Sequence, residues 1–309
     1  MVEWLYEDGI GEARAALVDD TDIIAARIEL PGALRVGTIA PARLTERVIA
    51  TLDDGREVML DRPPAGVTIG ARLMIDIVRE VIPEPGRAKR ARGRISDATV
   101  ASDGADLLAR IGATGIPVRH LQAHQPDALE QAGWSEVLEE ARTGEIAFPG
   151  GVLRMSPTPA MTLFDVDGVA APEGLACSAA VAVARAIRRH DIGGSIGIDF
   201  PTLAGKAIRQ EVAALIDRTL PAPFERTAVN GFGFLQIVRP RPRVSLPERV
   251  RDDPVGAAAR AALRIAERAP PGAPLHLSVP TPVRDRILAT PAWCDALVTR
   301  TGRRPIFAA

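Results

Sequence analysis

Short strand-like runs fill the first hundred residues, and helical spacing joins them only further along the chain. Residues 13–18 and 23–30 read as two short strands joined by a turn and closed by Pro31-Gly32. Residues 36–95 then carry short β-rich pieces at 36–40, 47–52, 57–60 and 72–81, with Asp53-Asp54-Gly55 as a hairpin turn. About five short strands in that stretch predict a small barrel of the OB type. Helical spacing follows at 103–111 and 125–142, around a strand at 116–121. From residue 146 strands and helices alternate. The turn Phe148-Pro149-Gly150-Gly151 leads into strands at 152–156 and 160–166. An Ala-rich helix at 175–189 sets Ala180, Ala184 and Ile187 on one face. Gly193-Gly194 breaks the chain before a strand at 195–200. A helix at 202–220 places Ile208, Val212, Leu215 and Ile216 at helical spacing, and a strand follows at 232–238. A Pro- and Arg-rich linker at 239–250 precedes a helix at 254–269, a strand at 275–279, a short helix at 283–288 and a final strand at 304–307.

With 309 residues, 47% of them apolar, the chain can bury a sizeable core, which excludes a wholly disordered protein. The formal net charge is -1, so the surface is not uniformly basic, although a local basic patch is compatible with it. Two cysteines, Cys177 and Cys294, are too few for a disulfide framework or a cysteine-rich zinc module. No apolar run reaches the length of a membrane span, and the first ten residues carry acids without a basic stretch. These features predict a cytoplasmic protein with no membrane partner.

Two carboxylates stand out. Asp165 ends the apolar run Met161-Thr162-Leu163-Phe164, and Asp199 ends Ser195-Ile196-Gly197-Ile198. A carboxylate buried at the end of an apolar strand needs a partner or a metal. Alternation sets Leu163, Asp165 and Asp167 on one face, and Ser195, Gly197 and Asp199 on another. The small residues before Asp199 leave room for a ligand or a second backbone. On neighbouring strands the acids would converge, an arrangement suited to Mg²⁺ and phosphodiester hydrolysis. The competing reading is that Asp167 or Asp199 caps the following helix.

Basic residues offer phosphate contacts. A run of Arg87, Lys89, Arg90, Arg92 and Arg94 ends the barrel segment. Arg185, Arg188 and Arg189 lie on the first long helix of the later region, Lys206 and Arg209 on the next. The alternative for each is a solvated strand end or helix face. No Phe, Tyr or Trp occurs between Tyr6 and Trp134. Barrels that grip single strands usually stack bases on aromatic rings, so this barrel would have to use charge.

The residues from 148 to 239 resemble the catalytic part of the ribonuclease E/G family. The matching stretches are Phe148-Pro149-Gly150-Gly151, Thr158 and Phe164-Asp165-Val166-Asp167. They continue through Ala179-Ala180, Ala184-Arg185, Ile187-Arg188, Asp191-Ile192-Gly193-Gly194, Ile198-Asp199-Phe200 and Phe232-Gly233-Phe234-Leu235. The resemblance implies an α/β fold: an RNase H-like core with an embedded OB-type β-barrel, a catalytic α/β subdomain and a small C-terminal α/β domain. The corresponding parts are 1–35, the first strands of the RNase H-like part; 36–95, the RNA-binding barrel; 96–147, a reduced connector with RNase H-like helices; 148–243, the catalytic subdomain; and 244–309, a linker and the C-terminal domain.

The resemblance further implies a metal-dependent endoribonuclease of RNA processing or decay. It would hydrolyse single-stranded RNA to 5′-phosphate and 3′-hydroxyl ends. Asp165 and Asp199 would bind Mg²⁺, with Mn²⁺ able to substitute. Asp167 stands where the family has Asn, which keeps an oxygen and adds a charge. The chain resembles a reduced member of the family. It has no Cys-Pro-x-Cys zinc link and no recognisable 5′-monophosphate sensor. The expectation is therefore no zinc and no zinc-linked tetramer, with a homodimer left open.

Two rivals stand beside this reading. Leu163-Phe164-Asp165-Val166-Asp167-Gly168 also resembles the first motif of haloacid-dehalogenase phosphatases, with Asp165 as nucleophile and Asp167 as acid–base. The other rival is a non-catalytic RNA-binding protein that kept the fold, consistent with the missing aromatics. Among the remaining residues, His120 and His124 are spaced for zinc on a helix but lack a third ligand. His190 reads as structural, His276 as a core histidine, and Trp134 and Trp293 as packing anchors.

Overall fold

A computed structural model describes residues 1–84, 86, 88–272 and 274–307, so Arg87 of the basic run lies outside the described residues. The fold is mixed α/β. It divides into two compact units: Met1–Gly32, Leu107–Leu138 and Arg249–Ala309 form one, and Ala33–Asp106 and Glu139–Glu248 the other.

The chain begins with an antiparallel meander of β1 (Glu3–Gly9), β2 (Glu12–Asp19) and β3 (Asp22–Glu29). Strand β1 escapes the alternation rule because Trp4, Leu5 and the acid Glu7 are all buried.

A closed five-stranded barrel follows in the second unit. Its strands are β4 (Ile39–Glu46), β5 (Ile49–Leu52), β6 (Glu57–Leu60), β7 (Arg72–Arg79) and β8 (Ala91–Ser96), in the order β4-β5-β6-β8-β7. Only β6 and β8 pair in parallel, a topology compatible with an OB-like barrel. Leu44, Leu52, Val58, Leu60, Ile75 and Ile77 fill the interior. The basic run proves to hold a barrel strand. Its inward positions are Ala91 and Gly93, and a Cβ on Gly93 would lie 2.4 Å from Ile75, so the interior has no room for larger side chains there. Its one large apolar residue, Ile95, is exposed, so the strand leaves no hydrophobic pattern to read.

Next come α1 (Leu107–Gly112), β9 (Val118–His120), α2 (Ala128–Gln131) and α3 (Trp134–Thr143). Strand β9 pairs in parallel with β1, completing the sheet β3-β2-β1-β9. Helix α1 buries Leu107 and Ile111 against Trp4, Ala15, Leu17 and Ala25 of that sheet.

The second unit resumes with β10 (Glu145–Phe148), β11 (Gly151–Pro157), β12 (Thr162–Gly168), α4 (Pro172–Arg189), β13 (Gly194–Asp199), α5 (Lys206–Thr219), β14 (Glu225–Arg226) and β15 (Phe234–Arg239). The sheet order is β10-β11-β12-β13-β15-β14, with β12 and β13 parallel and joined by the α4 crossover. Leu153, Met155, Phe164, Val166, Ile196, Ile198, Leu235 and Ile237 point to one face and are buried with α4 and α5. Helix α4 starts on Pro172, tolerated in a first turn, and lays Ala176, Ala179, Ala180, Val183, Ala184 and Ile187 against the core.

The chain ends with α6 (Leu246–Asp252), α7 (Pro254–Glu267), β16 (Leu275–Leu277), α8 (Thr281–Leu288), α9 (Pro291–Thr301) and β17 (Pro305–Phe307). Asp253 caps α7 by accepting the Gly256 N–H at 2.9 Å. The segment from Arg249 packs within the first unit, where Ile10 joins the core of α7, α8 and α9 and Trp293 lies against Gly11. A buried charge cluster binds the two chain ends there. Arg14 pairs with Glu7 at 2.5 Å and Glu12 at 3.1 Å, Arg260 with Glu12 at 2.7 Å, and Arg264 with Glu7 at 3.0 Å and with Asp127. Arg268 also pairs with Glu7. His276 is exposed on β16 between buried Leu275 and Leu277, which corrects its reading as a core histidine. No helix among the described residues is long and apolar enough to cross a membrane.

Candidate catalytic site

The α4 crossover sets β13 beside β12 in a register that makes Asp165 and Asp199 direct partners. Strand pleating does the rest. Phe164 and Val166, like Ile198, face the helices, so Asp165 and Asp199 both face away from them. Two carboxylates thus stand on adjacent strands, roughly 4.8 Å apart at the backbone, on one side of the sheet. Both are exposed, and neither has a side-chain hydrogen bond or ion pair among the described residues. Burial therefore does not force a partner on them. What the fold brings about is the convergence of two exposed, like-charged groups.

Asp167 shares the face but not the condition of the other two. Arg154 of β11, in register with Asp165, places its guanidinium 3.1 Å from the Asp167 carboxylate. No motif marks Arg154, yet alternation locates it, since its neighbours Leu153 and Met155 are buried. The space expected beside Gly197 is filled. A Cβ there would lie 2.7 Å from the Phe234 ring, 2.8 Å from Leu163 and 3.0 Å from the Met161 sulfur. The glycine admits these side chains over the strand rather than a ligand.

The cations are distributed differently from the expectation. Lys89 pairs with Glu84, Arg90 with Glu57 at 2.6 Å, Arg92 with Asp61 at 2.8 Å and Arg94 with Asp76 at 2.7 Å. The described part of the basic run is thus a row of ion pairs around the barrel. Arg185 and Arg188 lie in the last turns of α4. That helix runs back from the end of β12 to the start of β13, so these arginines sit at the end of the sheet away from Asp199. Arg189 is held by Glu140 at 3.0 Å. Lys206, by contrast, opens α5 seven residues after Asp199 and is exposed. Arg209 donates to the carbonyls of Leu203 at 2.7 Å and Ala204 at 3.3 Å, which secures the intervening loop.

His120 and His124 are exposed and line a cavity of about 1110 Å³ in the first unit with Tyr6, Arg268 and Arg300. No group of three or more metal-ligating side chains occurs among the described residues. His190 is buried at the end of α4 with Nε2 3.1 Å from Glu140, in keeping with a structural role. Trp134 is buried and Trp293 half-buried in the first unit. No protein-family model matches the chain, and no curated protein sequence matches it.

Proposed function

We propose that the chain is a metal-dependent endoribonuclease acting on single-stranded RNA, as a reduced relative of the ribonuclease E/G family. The carrying observation is the pairing of Asp165 with Asp199 across β12 and β13 on the exposed face, with no ion pair on either among the described residues. Mg²⁺ keeps most of its waters and needs only one or two carboxylates, so this donor set fits it. Asp165 and Asp199 would hold the ion. When bound, Mg²⁺ or Mn²⁺ supplies an acidified water and a Lewis acid for a phosphoryl oxygen. Lys206 offers a positive charge at the same end of the sheet. Arg154 fixes Asp167 as an orienting group. The finer fold reading is an RNase H-like core holding the barrel as an insert, which the sheet order β3-β2-β1-β9 supports. The products would be 5′-phosphate and 3′-hydroxyl ends.

The aspartyl-phosphate alternative requires Asp167 to act as a free acid–base, and the Arg154 pair engages it. The non-catalytic RNA-binding alternative draws on the missing barrel aromatics, but the ion pairs of Arg90, Arg92 and Arg94 leave that strand no better equipped to hold RNA. A labelled single-stranded RNA incubated with Mg²⁺ tests the proposal. The wild type is expected to cut it, whereas Asp165→Asn and Asp199→Asn fold normally and lose at least about 100-fold in rate, about 2.7 kcal/mol of barrier. Intact RNA with the wild type, in Mg²⁺ and in Mn²⁺, would count against the nuclease.

A further inference from the structure

Aromatic residues make up only 4% of the chain, and nearly all of them are packed. Phe232 is the exception: at 84% exposure it is the one described aromatic side chain that stands out in solvent. Its ring adds almost nothing to the core, yet the turn that carries it is firmly tied. The Asn230 side-chain oxygen accepts the N–H groups of Phe232 at 2.9 Å and Phe234 at 3.0 Å. The Gly233 N–H donates to the Asn230 carbonyl at 3.2 Å, and the Phe200 N–H donates to the Gly233 carbonyl at 3.2 Å. Gly233 has φ +94°, and a Cβ there would lie 2.3 Å from the Phe200 carbonyl oxygen. Only glycine lets the turn close this tightly onto the residue after Asp199.

Register then fixes where the backbone of the turn stands. Phe234 is the partner of Asp199 across β13 and β15, and Phe232 is two residues earlier. Phe232 is therefore within about 13 Å of Asp199, backbone to backbone. The exposed Lys206 opens α5 at the same end. A solvent-facing π-surface on a tied turn, at the end of the sheet that bears paired carboxylates and a cation, is the equipment for holding an unpaired base while its phosphates lie near charge. The barrel lacks that equipment, since no aromatic residue occurs between Tyr6 and Trp134 and its described basic run is ion-paired.

We propose that Phe232 is a base-stacking platform that holds an unpaired nucleobase of RNA next to the Asp165–Asp199 pair. This rests on the nuclease reading for its substrate class but makes a separate claim about binding. The experiment is equilibrium binding of a fluorescent single-stranded RNA to the full chain carrying Asp165→Asn, with no divalent ion present, so that cleavage plays no part. Adding Phe232→Ala is expected to weaken binding about 5- to 150-fold, whereas Phe232→Trp keeps it and shows quenched indole fluorescence on RNA addition. An abasic residue scanned along the RNA should give the same loss at one position, and that loss should vanish in the Phe232→Ala background. Unchanged affinity in Phe232→Ala overturns the proposal, even if the wild type cuts RNA. Lost affinity in a wild type that never cuts upholds it and removes the nuclease reading alone. No RNA binding by any variant overturns both. A change of oligomeric state in Phe232→Ala with RNA affinity intact overturns it in favour of a protein contact.

Discussion

Asp165, Asp167 and Asp199 share one face of a sheet, and of the three only Asp167 carries an ion pair among the described residues, with the guanidinium of Arg154. An acid that already has a cation has less need of a second and less freedom to move. Under the proposed nuclease function, Asp167→Asn should therefore lower cleavage far less than Asp165→Asn, by about 10-fold or less, equal to about 1.4 kcal/mol. Comparing single-turnover rates of the two variants checks this, and equal losses would make Asp167 a third ligand. The two main acids were legible from sequence because each interrupts an apolar run. Their surroundings were not. The apolar runs suggested burial, but alternation within a sheet covered by helices on one face turns Asp165, Asp167 and Asp199 to the other face, where they are exposed. Phe232 was legible only as part of a motif. Its exposure depends on the Asn230 turn and on Gly233, which sequence spacing does not reveal.

Among the elements, the β12–α4–β13 crossover was the most readable, because a long Ala-rich helix between two apolar strands has few other arrangements. Strand β8 was the least readable, since Ala91 and Gly93 are its inward residues. One contact between elements has a measurable pH dependence. Glu140 of α3 accepts from Arg189 at 3.0 Å and faces His190 at 3.1 Å at the end of α4. Burial pushes its pKa upward, but the His190 hydrogen bond and the Arg189 charge outweigh burial and hold it below the usual glutamate value. The folded pKa is thus lower than the unfolded one. The resulting stability is complete above the unfolded value and is lost as the pH falls through the folded one. Glu140→Gln should cost about 1–3 kcal/mol at neutral pH. It should also flatten the decline in stability below about pH 4.5. Urea melts of both proteins from pH 3 to 7 check this, and parallel curves would remove Glu140 as the cause.

At the scale of the molecule, an extended polar cluster joins Glu7, Glu12 and Arg14 to Arg260, Arg264, Arg268 and Asp127. Its members come from three stretches of one unit, with Arg260 248 residues from Glu12 and Arg264 257 residues from Glu7. No local pattern predicts such pairing, and the tail accordingly reads as a separate domain in the sequence. Removing one partner of a buried ion cluster leaves the others desolvated and unpaired, a loss of about 3–5 kcal/mol. Glu7→Gln is expected to destabilise the first unit by that much, measured by hydrogen exchange of β1 and β2. A change below about 0.5 kcal/mol would show that the cluster is neutral in stability. The same arrangement bears on biosynthesis. As the chain leaves the ribosome, Glu7 and Glu12 emerge well before Arg260 and Arg264 of α7, which complete their pairing. The barrel and the sheet bearing Asp165 and Asp199 are translated in between. Nascent chains should therefore gain the paired acids before the first unit closes, leaving β1 and β2 as clients for chaperones until α7 has emerged.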